Sequence, residues 1–152
     1  MMQYLLNDIA AILQQPMQGQ RNAIIQYLVT DSRNIVDPTQ SIFFAIKGPR
    51  RTGTSFIADV YQQGVRAFVI DEPIDTSEFA EGVFFHVPNT IKVLQTIAAY
   101  HRAKFSIPVI GITGSNGKTI VKEWLYQLLQ PDFNIVRSPR SYNSQIGVPL
   151  SV

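Results

Sequence analysis

Cysteine is absent from the 152 residues, and neither sign of charge dominates them. Without cysteine the chain can form no disulfide and no thiolate metal site, which is typical of proteins from a reducing compartment such as the cytoplasm. Thirteen Lys and Arg against eleven Asp and Glu leave a net charge of +2. Because this surplus is too small to indicate a nucleic-acid partner, the composition favours a cytoplasmic protein that binds no nucleic acid.

A long, purely apolar run is also missing from the N-terminus, where a signal peptide or a membrane anchor would appear. The stretch MMQYLLNDIAAILQQP has no basic residue ahead of its apolar part, and it carries Asn7 and Asp8 inside that part. Neither property fits a segment that enters a membrane. Apolar residues instead recur there at helical spacing, at Leu5, Ile9, Ile12 and Leu13. We therefore predict an amphipathic helix and no association with a membrane.

Along the rest of the chain, apolar runs typical of strands alternate with stretches patterned like helices. The predicted strands cover residues 23–30, 41–46, 66–70, 83–87 and 106–113. One predicted helix is capped by Ser55 and ends at Gly64, and the next is capped by Asn89. Such alternation predicts an α/β architecture. We expect a first domain over residues 1–105 and the start of a second over residues 106–152.

A glycine loop follows the last predicted strand, within the stretch GITGSNGKTIVKEW over residues 111–124. Its glycines allow backbone N–H groups to turn toward an anion, and the helix N-terminus that follows adds partial positive charge. The predicted ATP-binding residues are Gly114, Ser115, Asn116, Gly117, Lys118 and Thr119.

The order of residues after the loop points to particular chemistry. Lys118 can reach the β and γ phosphates of ATP, and the Thr119 hydroxyl can ligate Mg²⁺. The strict pattern G-x-x-x-x-G-K-[ST] would need glycine where Ile112 stands, so only the shorter G-x-x-G-K-T is matched. We predict that Lys118 and Thr119 are the catalytic residues, with ATP and Mg²⁺ as cofactors.

With its flanks, the glycine loop resembles the ATP-binding signature of the Mur ligases, the ATP-dependent amide ligases of peptidoglycan synthesis. TDSR (30–33), SIFFAIKG (41–48) and FIADVYQQGVRAFVI (56–70) resemble the substrate domain of the members that add D-alanyl-D-alanine or a diamino acid. YNSQIGVPLSV at the end resembles the NNxIGxP stretch of the D-alanyl-D-alanine-adding members. Two departures are Thr52–Phe56, where the family has a DGHDF-like stretch, and Ser144 in place of asparagine.

The resemblance implies an α/β fold in which an N-terminal Mur-ligase substrate domain is followed by the first β-α-β of a P-loop ATPase domain. It implies UDP-N-acetylmuramoyl-peptide and D-alanyl-D-alanine as substrates, joined through an acyl phosphate made from ATP. Substrate contacts carried over from the family fall on Ser32, Arg33, Lys47 and Gly48 at the uridine diphosphate, and on Asn143 near the ATP site.

The family's remaining catalytic apparatus lies downstream of the glycine loop, so we expect this chain to be an N-terminal piece that is inactive by itself. Since one β-α-β unit cannot bury both faces of its sheet, residues 106–152 should be exposed or packed against another surface. Three alternatives stay open. These are the diamino-acid-adding Mur ligase, a module that only binds the UDP-sugar, and an unrelated P-loop NTPase.

Overall fold

The computed structural model describes residues 3–17, 22–48, 52–139, 142 and 144–151. The strands within these residues are β1 (Tyr4–Leu5), β2 (Ile24–Ile25), β3 (Tyr27–Val29), β4 (Ser41–Phe44), β5 (Ala67–Ile70) and β6 (Val83–His86). The α-helices are α1 (Leu6–Leu13), α2 (Ile57–Gln62), α3 (Thr90–Ala103) and α4 (Lys118–Leu129). Short 3-10 helices cover Pro38–Gln40, Gly53–Phe56 and Pro149–Ser151. Within these described ranges, no helix has the length and apolar character needed to cross a membrane.

The main sheet has four parallel strands in the order β3-β4-β5-β6, which confirms the predicted α/β fold class. Three aromatic residues face each other across neighbouring strands, because Phe43 is aligned with Phe68 and Phe68 with Phe84. The predicted strand over residues 23–30 is split between two sheets. Its first part, β2, pairs antiparallel with β1. At the break, the Gln26 backbone N–H donates to the Gln40 carbonyl at 2.8 Å.

Helices cover both faces of the main sheet, as parallel strands require. On one face, α1 and α3 bury Leu6, Ile9, Leu94 and Ile97 against the side chains of alternate strand residues. On the other face, α2 buries Ile57 and Val60 against the remaining strand residues. The aromatic strand residues Phe43, Phe44, Phe84 and Phe85 are all buried.

The helix ends follow local sequence with one exception. Asn89 caps α3 as predicted, since its side-chain oxygen accepts from the Lys92 N–H at 2.8 Å. Gly64 follows α2 with a φ of +106°, which glycine tolerates without a Cβ penalty. The predicted cap at Ser55 is wrong. Its hydroxyl donates to the Thr52 carbonyl at 2.7 Å inside the 3-10 turn, and α2 begins only at Ile57.

After α3, the predicted helix forms but the predicted strand does not. The strand predicted over residues 106–113 is wrong, because these residues have extended or irregular backbone without ladder pairing. Helix α4 forms as predicted, yet it has no buried residue. A parallel strand needs a neighbour for its backbone groups and a helix needs a surface for its apolar face. Neither partner is offered by the described residues, so the expected exposure of this segment is observed.

The end of the described chain returns to the first part of the molecule. Ile146 and Leu150 pack against the cluster that α1 and α3 form on the sheet. The Gln95 side-chain amide donates to the Gln145 carbonyl at 3.3 Å, which joins this segment to α3. Residues 144–151 are therefore attached to the sheet-bearing part rather than to α4.

Candidate functional sites

The glycine loop adopts the backbone conformation that its sequence predicts. Gly114 has a φ of +147° and Gly117 a φ of +77°, values that L side chains rarely adopt. An added Cβ at Gly117 would meet no atom within 4 Å, so conformation rather than crowding requires glycine there. Gly117 is the N-cap of α4 and offers no side chain to its first turn. The loop therefore delivers a helix N-terminus whose first N–H groups have no intrahelical acceptor.

Lys118 folds back over this loop. Its ammonium donates to the carbonyl oxygen of Gly114 in a short hydrogen bond, and it lies 3.4 Å from the carbonyl oxygen of Ser115. The side chain is thus held above the loop in a half-buried position. Ser115, Asn116 and Thr119 are exposed around it. The six predicted ATP-binding residues are brought together in one turn with the helix start.

These residues fit a polyphosphate better than they fit a metal ion alone. Helix N–H groups and an ammonium are ligands for phosphate oxygens. Over the ranges that the structure describes, no cluster of three or more His, Asp or Glu side chains is available to hold a metal ion. A Mg²⁺ ion beside the Thr119 hydroxyl would therefore take its other ligands from phosphate oxygens and water, which is the usual manner of its binding.

The second group of predicted residues lies where the strands of the main sheet end. Ser32 and Arg33 follow β3, and Lys47 and Gly48 follow β4. In parallel sheets the carboxyl ends of neighbouring strands share one edge, and ligands bind in the crevice outside it. The fold thus brings these four residues to the same edge. The remaining substrate prediction, Asn143, falls outside the described residues.

Arg33 is engaged by its own loop. Its guanidinium forms a fork with Asp31, with Nε 2.8 Å from Oδ1 and Nη2 2.6 Å from Oδ2. This side-chain hydrogen bonding lowers the pKa of Asp31 from 3.8 to about 2. The Ser32 carbonyl accepts from the Gln63 side chain at 3.4 Å, which joins the loop to the end of α2. Arg33 therefore closes its loop, and the loop presents the Ser32 hydroxyl from a half-buried position.

Lys47 is paired with a carboxylate from the next strand connection. Its Nζ lies 2.8 Å from Oε1 of Glu72, two residues after β5. The hydrogen bond between them raises the pKa of Lys47 and lowers that of Glu72. Glu72 also accepts from the Thr54 hydroxyl at 3.3 Å. Gly48 is exposed beside this pair.

The sequence predictions did not include the carboxylates of Asp31 and Glu72, which pair with Arg33 and Lys47 at this edge. A usable signal was present, because Asp31 comes one residue after the predicted strand 23–30 and Glu72 two residues after the predicted strand 66–70. Ligand-contacting residues of parallel sheets commonly stand at such positions. The two departures from the family pattern have local roles. Thr54 binds Glu72, and the Ser144 hydroxyl accepts from the Gly147 N–H at 2.9 Å.

Neither histidine belongs to a candidate site. Nδ1 of His101 lies 3.0 Å from the Tyr4 hydroxyl, which links β1 to the end of α3, and partial burial lowers the pKa of this histidine. His86 is exposed at the end of β6. The contact to Tyr4 indicates a structural role for His101.

Comparison with known proteins shows which proteins this chain is similar to. No family profile matches the chain. It is 37% identical over 137 residues to the UDP-N-acetylmuramoyl-tripeptide–D-alanyl-D-alanine ligase of Borreliella burgdorferi, which covers 85% of the chain and 30% of that ligase. The chain therefore spans about a third of the length of the curated relatives it matches.

Solved structures agree with the sequence similarity. MurF from Acinetobacter baumannii superposes with a TM-score of 0.86 at 28% identity, over 99% of this chain and 32% of that one. MurF ligase from Thermotoga maritima in complex with ADP superposes with a TM-score of 0.71 at 31% identity, over 83% of this chain and 28% of that one. The likeness to these structures thus agrees with the parallel sheet and the mixed α/β fold of this chain.

Proposed function

Because the chain belongs to the Mur ligase family, we propose that it supplies the substrate-binding part and the phosphate-binding loop of a peptidoglycan precursor ligase. The ligase would use ATP to add D-alanyl-D-alanine to UDP-N-acetylmuramoyl-tripeptide in the cytoplasm. The observation that carries the proposal is the structural likeness to MurF, since it extends over 99% of the chain. The chain spans only about a third of such a ligase, so turnover would need the remainder of the enzyme.

The two candidate sites have different tasks in this proposal. Residues 1–105 form the domain that binds the UDP end of the substrate, through the loops after β3 and β4. Ser32 offers a hydroxyl to the uracil or ribose, and Lys47 offers its charge to the diphosphate. Residues 106–152 begin the ATP-binding domain. Asn143 is assigned to the substrate near ATP on the family resemblance alone.

The reaction of the complete ligase consists of two displacements. A carboxylate oxygen of the peptide attacks the γ-phosphorus of ATP, the bond to the bridging oxygen breaks, and ADP leaves. The amine of D-alanyl-D-alanine then attacks the acyl carbon of the acyl phosphate, loses a proton, and displaces inorganic phosphate. Such phosphoryl transfer depends mainly on positioning and on neutralising charge.

Within that reaction, the glycine loop and the start of α4 hold the phosphates through backbone N–H groups. The Lys118 ammonium exchanges the Gly114 and Ser115 carbonyls for phosphate oxygens, because anionic acceptors bind it more strongly than neutral ones. Thr119 would contribute one ligand to Mg²⁺, which when bound supplies further positive charge to the transferring phosphoryl group.

Calorimetry on the 152-residue chain tests this assignment. We expect weak but measurable binding of both UDP-N-acetylmuramoyl-tripeptide and ATP with Mg²⁺, and no formation of ligated product. Lys118→Met should weaken ATP binding at least about tenfold, since a charge-assisted contact contributes roughly 1.5–3 kcal/mol, and should leave UDP-sugar binding unchanged. Ligase activity of this chain alone would contradict the proposal that turnover requires more of the enzyme.

A second candidate function is a module that binds only the UDP-sugar. The exposure of α4 and the absence of strand pairing over residues 106–113 favour it, since an unsupported loop holds nucleotide poorly. Binding of the UDP-sugar without any response to ATP would support this alternative.

ATP hydrolysis that is independent of the UDP-sugar would instead indicate an unrelated NTPase. Preference for the UDP-N-acetylmuramoyl-dipeptide over the tripeptide would indicate the diamino-acid-adding type.

A further inference from the structure

A continuous chain of polar contacts runs along the carboxyl ends of β4 and β5. Glu72 uses both carboxylate oxygens in it, with Oε1 2.8 Å from the Lys47 ammonium and Oε2 3.3 Å from the Thr54 hydroxyl. The Thr54 hydroxyl lies in turn 2.8 Å from that of Thr52. Lys47 and Glu72 come from strand connections that are 25 residues apart in sequence, so this contact depends on the tertiary fold.

The position of the two threonines is fixed by close backbone packing. Gly53 lies between them and is buried against the residues that follow β4. An atom at its Cβ position would lie 2.2 Å from the carbonyl carbon of Ala45, so only glycine fits without displacing the backbone. The turn that carries Thr52 and Thr54 is therefore pressed onto the sheet edge beside Lys47, and Glu72 meets a preformed hydroxyl.

The ion pair is open to an incoming anion. The side chains of Lys47 and Glu72 are 67% and 31% exposed, so a ligand can reach the ammonium from solvent. Exposed ion pairs contribute little to stability because water competes for both partners. A diphosphate carries more charge than one carboxylate and can displace Glu72 from Lys47 without loss of the fold.

We propose that Glu72 is a positioning residue of the uridine diphosphate site, which holds the Lys47 ammonium beside Thr54 and releases it to the diphosphate. This inference rests on the proposed function, in which Lys47 faces the diphosphate. In this role the Glu72 carboxylate orients the Lys47 ammonium before the ligand binds. It also competes with the diphosphate for that ammonium and so lowers the affinity for the nucleotide.

Calorimetric titration of the full 152-residue chain with UDP tests the inference through a pair of matched variants. Glu72→Gln should bind UDP about two- to fivefold more tightly, which is the range expected when an exposed ion pair no longer has to break. Glu81→Gln is the control, because it removes the same charge from a pair with Arg66 just before β5, at the opposite end of the sheet. Its UDP affinity should stay that of the unsubstituted chain.

A second background shows whether the effect passes through the lysine. Lys47→Met should weaken UDP binding, and adding Glu72→Gln to it should produce no further gain. Glu72→Asp, whose shorter side chain releases Lys47 while keeping the charge, should raise the affinity less than Glu72→Gln does. If Glu72→Gln does not fold, as judged by circular dichroism, the Glu72→Asp result alone decides, and no gain in that variant overturns the inference.

The remaining outcomes separate the inference from the proposed function. UDP binding that Glu72→Gln leaves unchanged, or that Glu81→Gln improves equally, overturns the role of Glu72 and leaves the substrate assignment standing. A gain that persists in the Lys47→Met background likewise overturns it. No UDP binding by the unsubstituted chain or by any variant overturns the proposed UDP site together with the inference.

Discussion

The part of the molecule that carries the main sheet and the part that carries the glycine loop have similar sequence patterns and opposite burial. In the first part, Phe68 and Phe85 are 0% exposed between strands and helices. In the second, Trp124 and Leu128 on the apolar side of α4 are 64% and 72% exposed. Both parts place an apolar run next to an amphipathic helix, so patterning alone does not decide which residues become buried.

This difference in burial distinguishes structure that depends on nearby residues from structure that depends on contacts distant in sequence. The glycine loop and α4 form in the second part because their dihedral angles and intrahelical hydrogen bonds depend on nearby residues only. Residues 106–113 do not form a strand, since a strand acquires its hydrogen bonds from a neighbour. The glycine loop and the helix start of the proposed nucleotide site thus form without a supporting strand among the described residues.

The largest expected effect is loss of stability from the sheet-bearing part. Phe68→Ala should lower the free energy of unfolding by about 3–5 kcal/mol, because it removes a buried ring that stacks on Phe84 with centroids 5.0 Å apart. Trp124→Ala should change it by no more than about 0.5 kcal/mol, since that ring is mostly in solvent. Urea denaturation of both variants measures the contrast, and equal losses would show that α4 is packed in solution.

An intermediate effect distinguishes crowding from backbone conformation at two glycines. Gly53→Ala should cost about 1–3 kcal/mol or more, because its new methyl group must displace the backbone at Ala45. Gly117→Ala should cost about 1 kcal/mol in the helix start from its positive φ alone. Thermal melting followed by circular dichroism compares the two. A larger loss of the cooperative transition in Gly117→Ala would contradict the view that the sheet-bearing part supplies the stability.

The smallest expected effect is a pH dependence at the loop after β3. The folded state lowers the pKa of Asp31 from 3.8 to about 2, so its ion pair with Arg33 stabilises fully above pH 3.8 and is lost as the pH falls through 2. Because the pair is exposed, the contribution should be below about 1 kcal/mol. The difference in unfolding free energy between the unsubstituted chain and Asp31→Asn should narrow between pH 4 and pH 2. A constant difference would show that the charge contributes nothing.

The sequence predicted the features that depend on neighbours along the chain. Asn89 at the start of α3 and Gly64 after α2 were identified correctly, because capping and a positive φ are properties of single positions. The apolar runs that hold Phe43 and Phe84 were correctly predicted as strands. The glycine loop was located by its residue pattern, and the edge that holds Ser32 and Lys47 followed from the family resemblance.

Features set by distant contacts were predicted less well. The split of residues 23–30 at Gln26 depends on the carbonyl of Gln40, which no local pattern indicates. Ser55 was a plausible cap in sequence, but the buried Gly53 turn shifts the start of α2 past it. Lys47 was predicted to contact the substrate. Its pairing with Glu72 could not be predicted, because it requires β4 and β5 to be neighbours in the sheet.

The order of the main sheet has a consequence for how the protein is made. Each strand of this sheet after β3 pairs with the strand that precedes it in the chain. During synthesis on the ribosome, every newly emerged strand therefore finds its partner already exposed at the growing edge. No strand of this sheet has to insert between two others, so the sheet can assemble in the order in which its strands are made, ahead of the glycine loop that follows it in the chain.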